Sequence, residues 1–277
     1  FMTSFGMQGA SVSIVSLTNA PGALVELLDA ETDAPAWEKA DIYDTAERPS
    51  ATEVPEVEAP KKDVSASFTN IEVLLDDFQA KAQKAVKNAC QSLIESEKEL
   101  TKYDLIVGDG DCGITMERGA KEILARVESR KIDTSHPVSL FDTLADAVSS
   151  SMGGTSGILL EIMFRKMSTF LNSADDKIDS RRMEEAFEEG VNAVSFYGGA
   201  SAGSRTMLDA LFPAVDALKK GEDGAQAATD GAKATAAMGS ASAGRSNYLS
   251  EDALSGTPDP GAVAAGLVLT AVYDSLK

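Results

Sequence analysis

"TNIEVLLDDFQAKAQKAVKNACQSL", Thr69 to Leu93, decides the fold class of this chain. Ile71, Leu74, Phe78, Ala82, Ala85, Ala89 and Leu93 recur at three- and four-residue steps, the spacing of one helical stripe. Thr69 and Glu72 read as the capping box that opens this helix. The same periodicity continues downstream. Helices are expected over about 113–130, 138–152, 156–172, 180–197, 205–219, 223–240 and 260–276, eight with the first. Gly, Ser and Asp fill the connections. Alanine-rich stretches such as "AQAATDGAKATAAM" (Ala225–Met238) suit close helix packing. No strand is expected after residue 68, so residues 69–277 read as one all-α domain.

Upstream the texture changes. "ASVSIVSL" (Ala10–Leu17) alternates small polar and β-branched residues and reads as a strand. "APGALVELLDA" (Ala20–Ala30) reads as a short helix with Pro21 near its start. One strand and one helix cannot bury a core alone, so this segment needs a partner. The chain opens on Phe1, and its first residues read as the interior of a longer sequence. From Glu38 to about Ser67, Pro49, Pro55 and Pro60 punctuate an acidic, apolar-poor run, a linker of roughly 30 Å average span. The expected organisation is 1–37, a linker at 38–68, and 69–277.

Composition narrows the partners. Against 25 Lys and Arg stand 44 Asp and Glu, a net charge of −19. Such a surface repels phosphate backbones and anionic lipid, which argues against nucleic-acid and membrane partners. The longest apolar run, near Ala262–Val272, is a helix face broken by Gly266, too short to span a bilayer. Two cysteines, Cys90 and Cys112, make no disulfide scaffold and suit a reducing cytoplasm.

The chemistry concentrates in "YDLIVGDGDCGITM" (Tyr103–Met116), where Asp104, Asp109 and Asp111 crowd together with no Lys or Arg between them. Like charges that close repel unless a cation intervenes. Hard oxygens without His or paired thiolates suit Mg²⁺ or Ca²⁺ rather than zinc. An EF-hand is excluded, since counting from Asp109 puts Ala120 at the twelfth position. Three carboxylates leave open positions on Mg²⁺ for phosphate oxygens. The plainer alternative is a solvated acidic loop that caps the next helix.

Three more glycine-bearing loops precede helices: "MGGTSG" (Met152–Gly157), "YGGASAGSRTMLDAL" (Tyr197–Leu211) and "GRSNYLSEDALSGTPDPGAVAAG" (Gly244–Gly266). Thr155 and Ser156 offer hydroxyls and N–H groups at a positive helix end, a phosphate cradle. Arg205 stands at a helix boundary, Arg245 heads the last loop, and Pro260 lies near a helix start. There is no P-loop. Singly, each loop is a helix-start signal; together they suggest helix starts converging on one polyanion. His136 reads as a surface or capping residue, Cys112 as a poor nucleophile, and Trp37 as packing for the N-terminal segment.

"GDGDCGITMERG", "MGGTSGILL", "RTMLDAL" and "AGRSNYLSEDALSGTPDPGAVAAG" resemble the nucleotide-binding L domain of dihydroxyacetone (glycerone) kinases. The opening "FMTSFGMQGASVSIVSL" is similar to the end of their K domain, which precedes L in single-chain, ATP-dependent members. The resemblance implies a barrel of eight antiparallel helices holding ATP or ADP at one end through two Mg²⁺ ions. Asp104, Asp109 and Asp111 match the metal ligands. Nucleotide contacts fall on Asp109, Gly110, Asp111 and Cys112, on Thr155 and Ser156, on Gly198, on Thr206 and Met207, and on Asp259, Pro260 and Gly261. Arg245 matches a nearby family arginine. The implied activity is transfer of the γ-phosphoryl of ATP to dihydroxyacetone in a cytoplasmic enzyme that is a homodimer at full length, with the acceptor held by the K domain.

Two departures stand out. Relatives reading "PGDRTM" carry Asp where this chain has Ser204, beside the lid of the nucleotide site. The family's acceptor-binding histidine has no counterpart here, so a nucleotide site without its acceptor site is expected. Two other uses of the same site are open: cleavage of FAD to a cyclic FMN, and the tightly held ADP of phosphotransferase-linked L subunits.

Overall fold

The computed structural model describes residues 71–173 and 177–277, with Ala30 alone upstream. The chain divides into two units, 1–61 and 62–277, and the helices belong to the second. The expected N-terminal strand and helix, the linker, Trp37 and Thr69 lie outside the described residues.

Among the described residues ten α-helices follow one another: α1 (Phe78–Glu95), α2 (Glu97–Val107), α3 (Cys112–Glu128), α4 (Pro137–Ser151), α5 (Gly154–Asn172), α6 (Ser180–Gly198), α7 (Leu208–Lys219), α8 (Gly224–Ala234), α9 (Glu251–Leu254) and α10 (Pro260–Leu276). Eight of them close a ring: α1 packs on α3, then α4, α5, α6, α7, α8 and α10 follow in turn, and α10 returns to α1. This is the eight-helix barrel. Short connections from α3 to α8 make consecutive neighbours antiparallel. The two additional helices are α2, set off from α1 at Ser96, and the four-residue α9, which leans on α2.

Two expectations fail at the N-terminal edge. The first helix begins at Phe78, not near Thr69, and strands exist beyond residue 68. Glu72–Val73 (β1) pairs in parallel with Lys177–Ile178 (β2), and Leu74 N donates to Ile178 O at 2.8 Å. The reason is a period-two pattern inside the quoted stretch. Ile71, Val73 and Leu75 are half-buried while Glu72, Leu74 and Asp76 are exposed, the alternation of an extended strand. Ile71 and Leu75 pack on the main core beside fully buried Ile178. Asp77, at φ 53, then turns the chain into α1.

The barrel interior carries Leu140, Phe141, Leu144, Met163, Leu171, Val191, Val194, Leu208 and Leu211 from successive helices. Each such side chain, fully buried, stabilises by about 1.5–3 kcal/mol. A smaller cluster around Leu100, Met116, Val148, Met152 and Ala264 joins α2 and α3 to α4 and α10. The alanines expected to allow close packing do so: Ala210, Ala214, Ala228, Ala232 and Ala262 form a buried seam among α7, α8 and α10. No helix among the described residues is long and apolar enough to cross a membrane.

Candidate functional site

In this ring, one end gathers the starts of α3, α5, α7 and α10. Contacts tie these starts together. Arg245 Nε lies 3.0 Å from Asp109 Oδ2. A Cβ on Gly261 would stand 3.7 Å from Met207 N, so the starts of α10 and α7 are adjacent. Arg118, on α3, donates to the carbonyls of Ser151 and Met152 just before α5. Gly198, the last residue of α6, faces Leu159 on α5.

The three aspartates meet here. Asp104, Asp109 and Asp111 each place a carboxylate oxygen within 4.8 Å of the others. Asp104 belongs to the last turn of α2 rather than to the loop, and it is buried. Its Oδ2 accepts from Asp111 N at 2.8 Å and Cys112 N at 2.9 Å, the first free donors of α3. The carboxylate of α2 therefore caps α3. Asp111 occupies the N-cap position yet makes no capping bond of its own. That weakens the plain capping reading: Asp104 satisfies the helix start, while Asp111 and Asp109 project to solvent.

Two glycines make this geometry possible. A Cβ on Gly108 would lie 1.9 Å from Asp104 Oδ1, so only glycine lets the carboxylate fold back over the loop. Gly110 has φ 82, a left-handed backbone that side chains resist. Partial burial and then the charges of Asp109 and Asp104 push the Asp111 carboxyl up, while Arg245 and Arg118 pull it down. The cluster thus opposes its own ionisation, which is where a bound cation stabilises most. Its donors, all carboxylate oxygens, fit Mg²⁺. The Arg245–Asp109 bridge is largely exposed and contributes little stability by itself. Its value is positional.

Cys112 shows the same field. Burial first, then Asp104, Asp259, Asp111 and Asp109, push its thiol up to about 12, so it is no nucleophile here.

Asp259 caps α10. Its Oδ1 accepts from Ala262 N at 2.7 Å, and its own N–H donates to Thr235 Oγ1 at 2.8 Å. Burial pushes its carboxyl up to about 6, opposed by the Ala262 N–H and by Arg205. Pro260 is buried at the first helical position. Thr155 and Ser156 stand in the first turn of α5. There the first helical bond runs from Gly157 N to Gly153 O, leaving the N–H groups before it for a ligand. Thr206 and Met207 are half-buried immediately before α7.

Four further residues shape this end of the barrel. Asp209 receives the N–H groups of Gly203 and Thr206. Thr206-x-x-Asp209 repeats the spacing of a capping box and was the available signal. Arg205, two residues before the N-cap Met207 of α7, is fully buried. Arg118 carried no sequence signal, because its partners are backbone carbonyls. Ser204 is buried and its Oγ accepts from Ser201 N at 3.0 Å, so the loop keeps a local closing bond without Asp at that position. His136 caps α4: Nδ1 accepts from Val138 N at 3.2 Å.

A shallow, open depression of about 580 Å³ lies on the flank, lined by Ile114, Glu117, Arg118, Lys121, Glu122, Ser150 and Ser151. It contains none of the three aspartates. The carboxylate cluster marks the candidate site, since that is where helix starts and an excess of negative charge coincide.

Comparison with known proteins gives the family. The DAK2 domain family model matches residues 106–274. The chain is 30% identical to the dihydroxyacetone kinase of Pichia angusta, over 95% of this chain and 45% of that protein. It is 32% identical to the dihydroxyacetone kinase of Citrobacter freundii, over 72% and 36%. It is 31% identical to the bovine (Bos taurus) triokinase/FMN cyclase, over 100% and 47%. The chain spans about half the length of these curated relatives or less. Among solved structures, the C. freundii dihydroxyacetone kinase in complex with AMP-PNP and Mg²⁺ superposes with a TM-score of 0.57 at 33% identity, over 70% of this chain and 33% of that one.

Proposed function

Because this chain belongs to the DAK2 domain family, we propose that residues 69–277 form the ATP-binding, phosphoryl-donating domain of a dihydroxyacetone kinase. Residues 1–37 are then the end of the acceptor-binding K domain, and 38–68 the linker that keeps the two at high effective concentration. The observation that carries this reading is the carboxylate cluster. Asp104 alone caps α3, which leaves Asp111 without a capping duty and Asp109 tied only to the largely exposed Arg245.

Asp104, Asp109 and Asp111 would hold Mg²⁺, two ions by the family pattern, and the metal would neutralise the phosphates and present the γ-phosphoryl group. The chain's own residues supply position. The N–H groups and hydroxyls of Thr155 and Ser156 receive phosphate oxygens at the positive end of α5. Gly110 and Cys112 keep backbone close to the nucleotide. Gly198, Thr206, Met207, Pro260 and Gly261 line the rest of its seat, with Asp259 fixing the start of α10. Arg245 stands above Asp109 and screens the developing charge. Dihydroxyacetone is taken up by the K domain, in a cytoplasmic enzyme that is a homodimer at full length.

Titration of ATP into this chain, with Mg²⁺ and then with EDTA, tests the reading. Binding should need the metal and disappear in Asp109→Ala, an exposed site whose loss spares the fold. Binding indifferent to both would reduce the aspartates to a structural role. The names of relatives such as the bovine triokinase/FMN cyclase favour a second use of the same site, cleavage of FAD to a cyclic FMN. Incubation with FAD and Mn²⁺ separates the two.

A further inference from the structure

The largest fully buried side chain of the described barrel is a cation. Arg205 is 1% exposed, its backbone is left-handed at φ 61, and no carboxylate lies within ion-pair distance of its guanidinium among the described residues. Its Nε has no hydrogen-bond partner. A buried charge with no ion-pair partner, offset only by the more distant Asp259 carboxylate, and a left-handed non-glycine residue each destabilise a fold, and such strain concentrates at functional positions.

All its hydrogen bonds go to one segment. Nη1 donates to Ser246 Oγ at 3.2 Å, and Nη2 to Leu254 O at 3.4 Å and Thr257 O at 2.5 Å. That segment contains only a 3₁₀ turn, Arg245–Tyr248, and the one-turn α9, neither long enough to hold itself. Next to Arg205, Ser204 O accepts from Ser242 N at 3.3 Å, so the loop before α7 grips the segment on both sides of Gly244. The residue following Gly244 is Arg245, which reaches Asp109.

We propose that Arg205 is a positioning residue: an internal strut that fixes the 246–257 segment and thereby sets Arg245 over the carboxylate cluster. It does not touch the nucleotide. Five planar donors suit it to spread across a hydroxyl and two carbonyls, which a lysine cannot reproduce. The consequence for nucleotide binding rests on the function proposed above; the strut itself does not.

Arg205→Lys removes the fork but risks the fold, so Ser246→Ala tests the strut. Ser246→Ala removes one bond and leaves the interior intact. Amide hydrogen exchange of the nucleotide-free chain is read first. Exchange across 245–257 should quicken about tenfold in Ser246→Ala, with α4, α5 and α6 unchanged. Unchanged exchange there overturns the strut. Mg²⁺-dependent ATP affinity is read second, in a cycle with Arg245→Ala. The Ser246→Ala variant should bind several-fold more weakly, and the double variant no more weakly than Arg245→Ala alone. Additive losses would mean that Arg205 does not act through Arg245, and would overturn the proposal. A wild-type chain that binds no Mg·ATP would defeat the proposed function, and with it the effect on affinity, while the exchange result would still decide the strut.

Discussion

Gly108→Ala isolates the contact on which the metal site depends. Gly108 has φ −151, outside the left-handed region that favours glycine. The main effect of the substitution is steric. The new Cβ would fall 1.9 Å from Asp104 Oδ1 and 3.0 Å from its Cγ, and the buried carboxylate must leave. With it go two hydrogen bonds, to Asp111 N at 2.8 Å and Cys112 N at 2.9 Å. Bonds to a charged acceptor contribute about 1.5–3 kcal/mol each, and water recovers part of the loss at this half-open loop. A net loss of roughly 2–4 kcal/mol follows, or about 5–15 °C in Tm for a domain of this size. Thermal unfolding with EDTA and then with Mg²⁺ measures both halves, since the metal should no longer raise the Tm of the variant. Asp104→Asn supplies the contrast. Its amide oxygen can still receive the N–H groups, so stability should change by less than about 1 kcal/mol while Mg²⁺ affinity falls. A Gly108→Ala protein with unaltered Tm and intact Mg²⁺ response would mean that the Asp104 carboxylate does not depend on this glycine.

Other consequences are separable. Asp259 is raised to about 6 in the folded chain, so protonation favours the native state: that contribution is complete below about pH 4 and is lost as pH rises through 6. Without metal, wild-type stability should fall by roughly 1–3 kcal/mol between pH 4 and pH 7.5 relative to Asp259→Asn, and parallel denaturant curves for the two would contradict this. Gly231→Ala should cost about 1–3 kcal/mol, because its Cβ would meet Asp209 O at 2.2 Å where α8 crosses α7 beside Pro213; urea unfolding reads it. Leu171→Ala, fully buried at the far end of α5 from Thr155, should cost about 2–5 kcal/mol in the same assay and leave Mg·ATP affinity unchanged in the protein that remains folded.

What could be read in the sequence follows the range of each interaction. The barrel's helices were legible because their stripes are local: α3 to α6 and α10 lie within a few residues of their expected bounds. Asp104, Asp109 and Asp111 were legible as a group since they occupy one short stretch. That Asp104 serves two masters, as cap and as cluster member, was not, because its capping bonds cross from α2 to α3. The edge strand was misread for a different reason. "IEVLL" satisfies a helical step from Ile71 to Leu74 and a strand alternation through Val73, and only the distant partner Ile178 decides between them. Arg205 was legible only as a residue at a helix boundary and Arg118 not at all, because their partners are main-chain carbonyls and a hydroxyl, which leave no trace in residue type.

Whether three carboxylates from the α2–α3 junction hold the metal that presents ATP can be seen in a crystal structure of this chain with AMP-PNP and Mg²⁺. A metal is expected about 2.0–2.1 Å from carboxylate oxygens of Asp104, Asp109 and Asp111, with the phosphates against the start of α5 at Thr155 and Ser156. Nucleotide bound elsewhere, or bound there with these carboxylates turned to solvent and no metal between them, would contradict it.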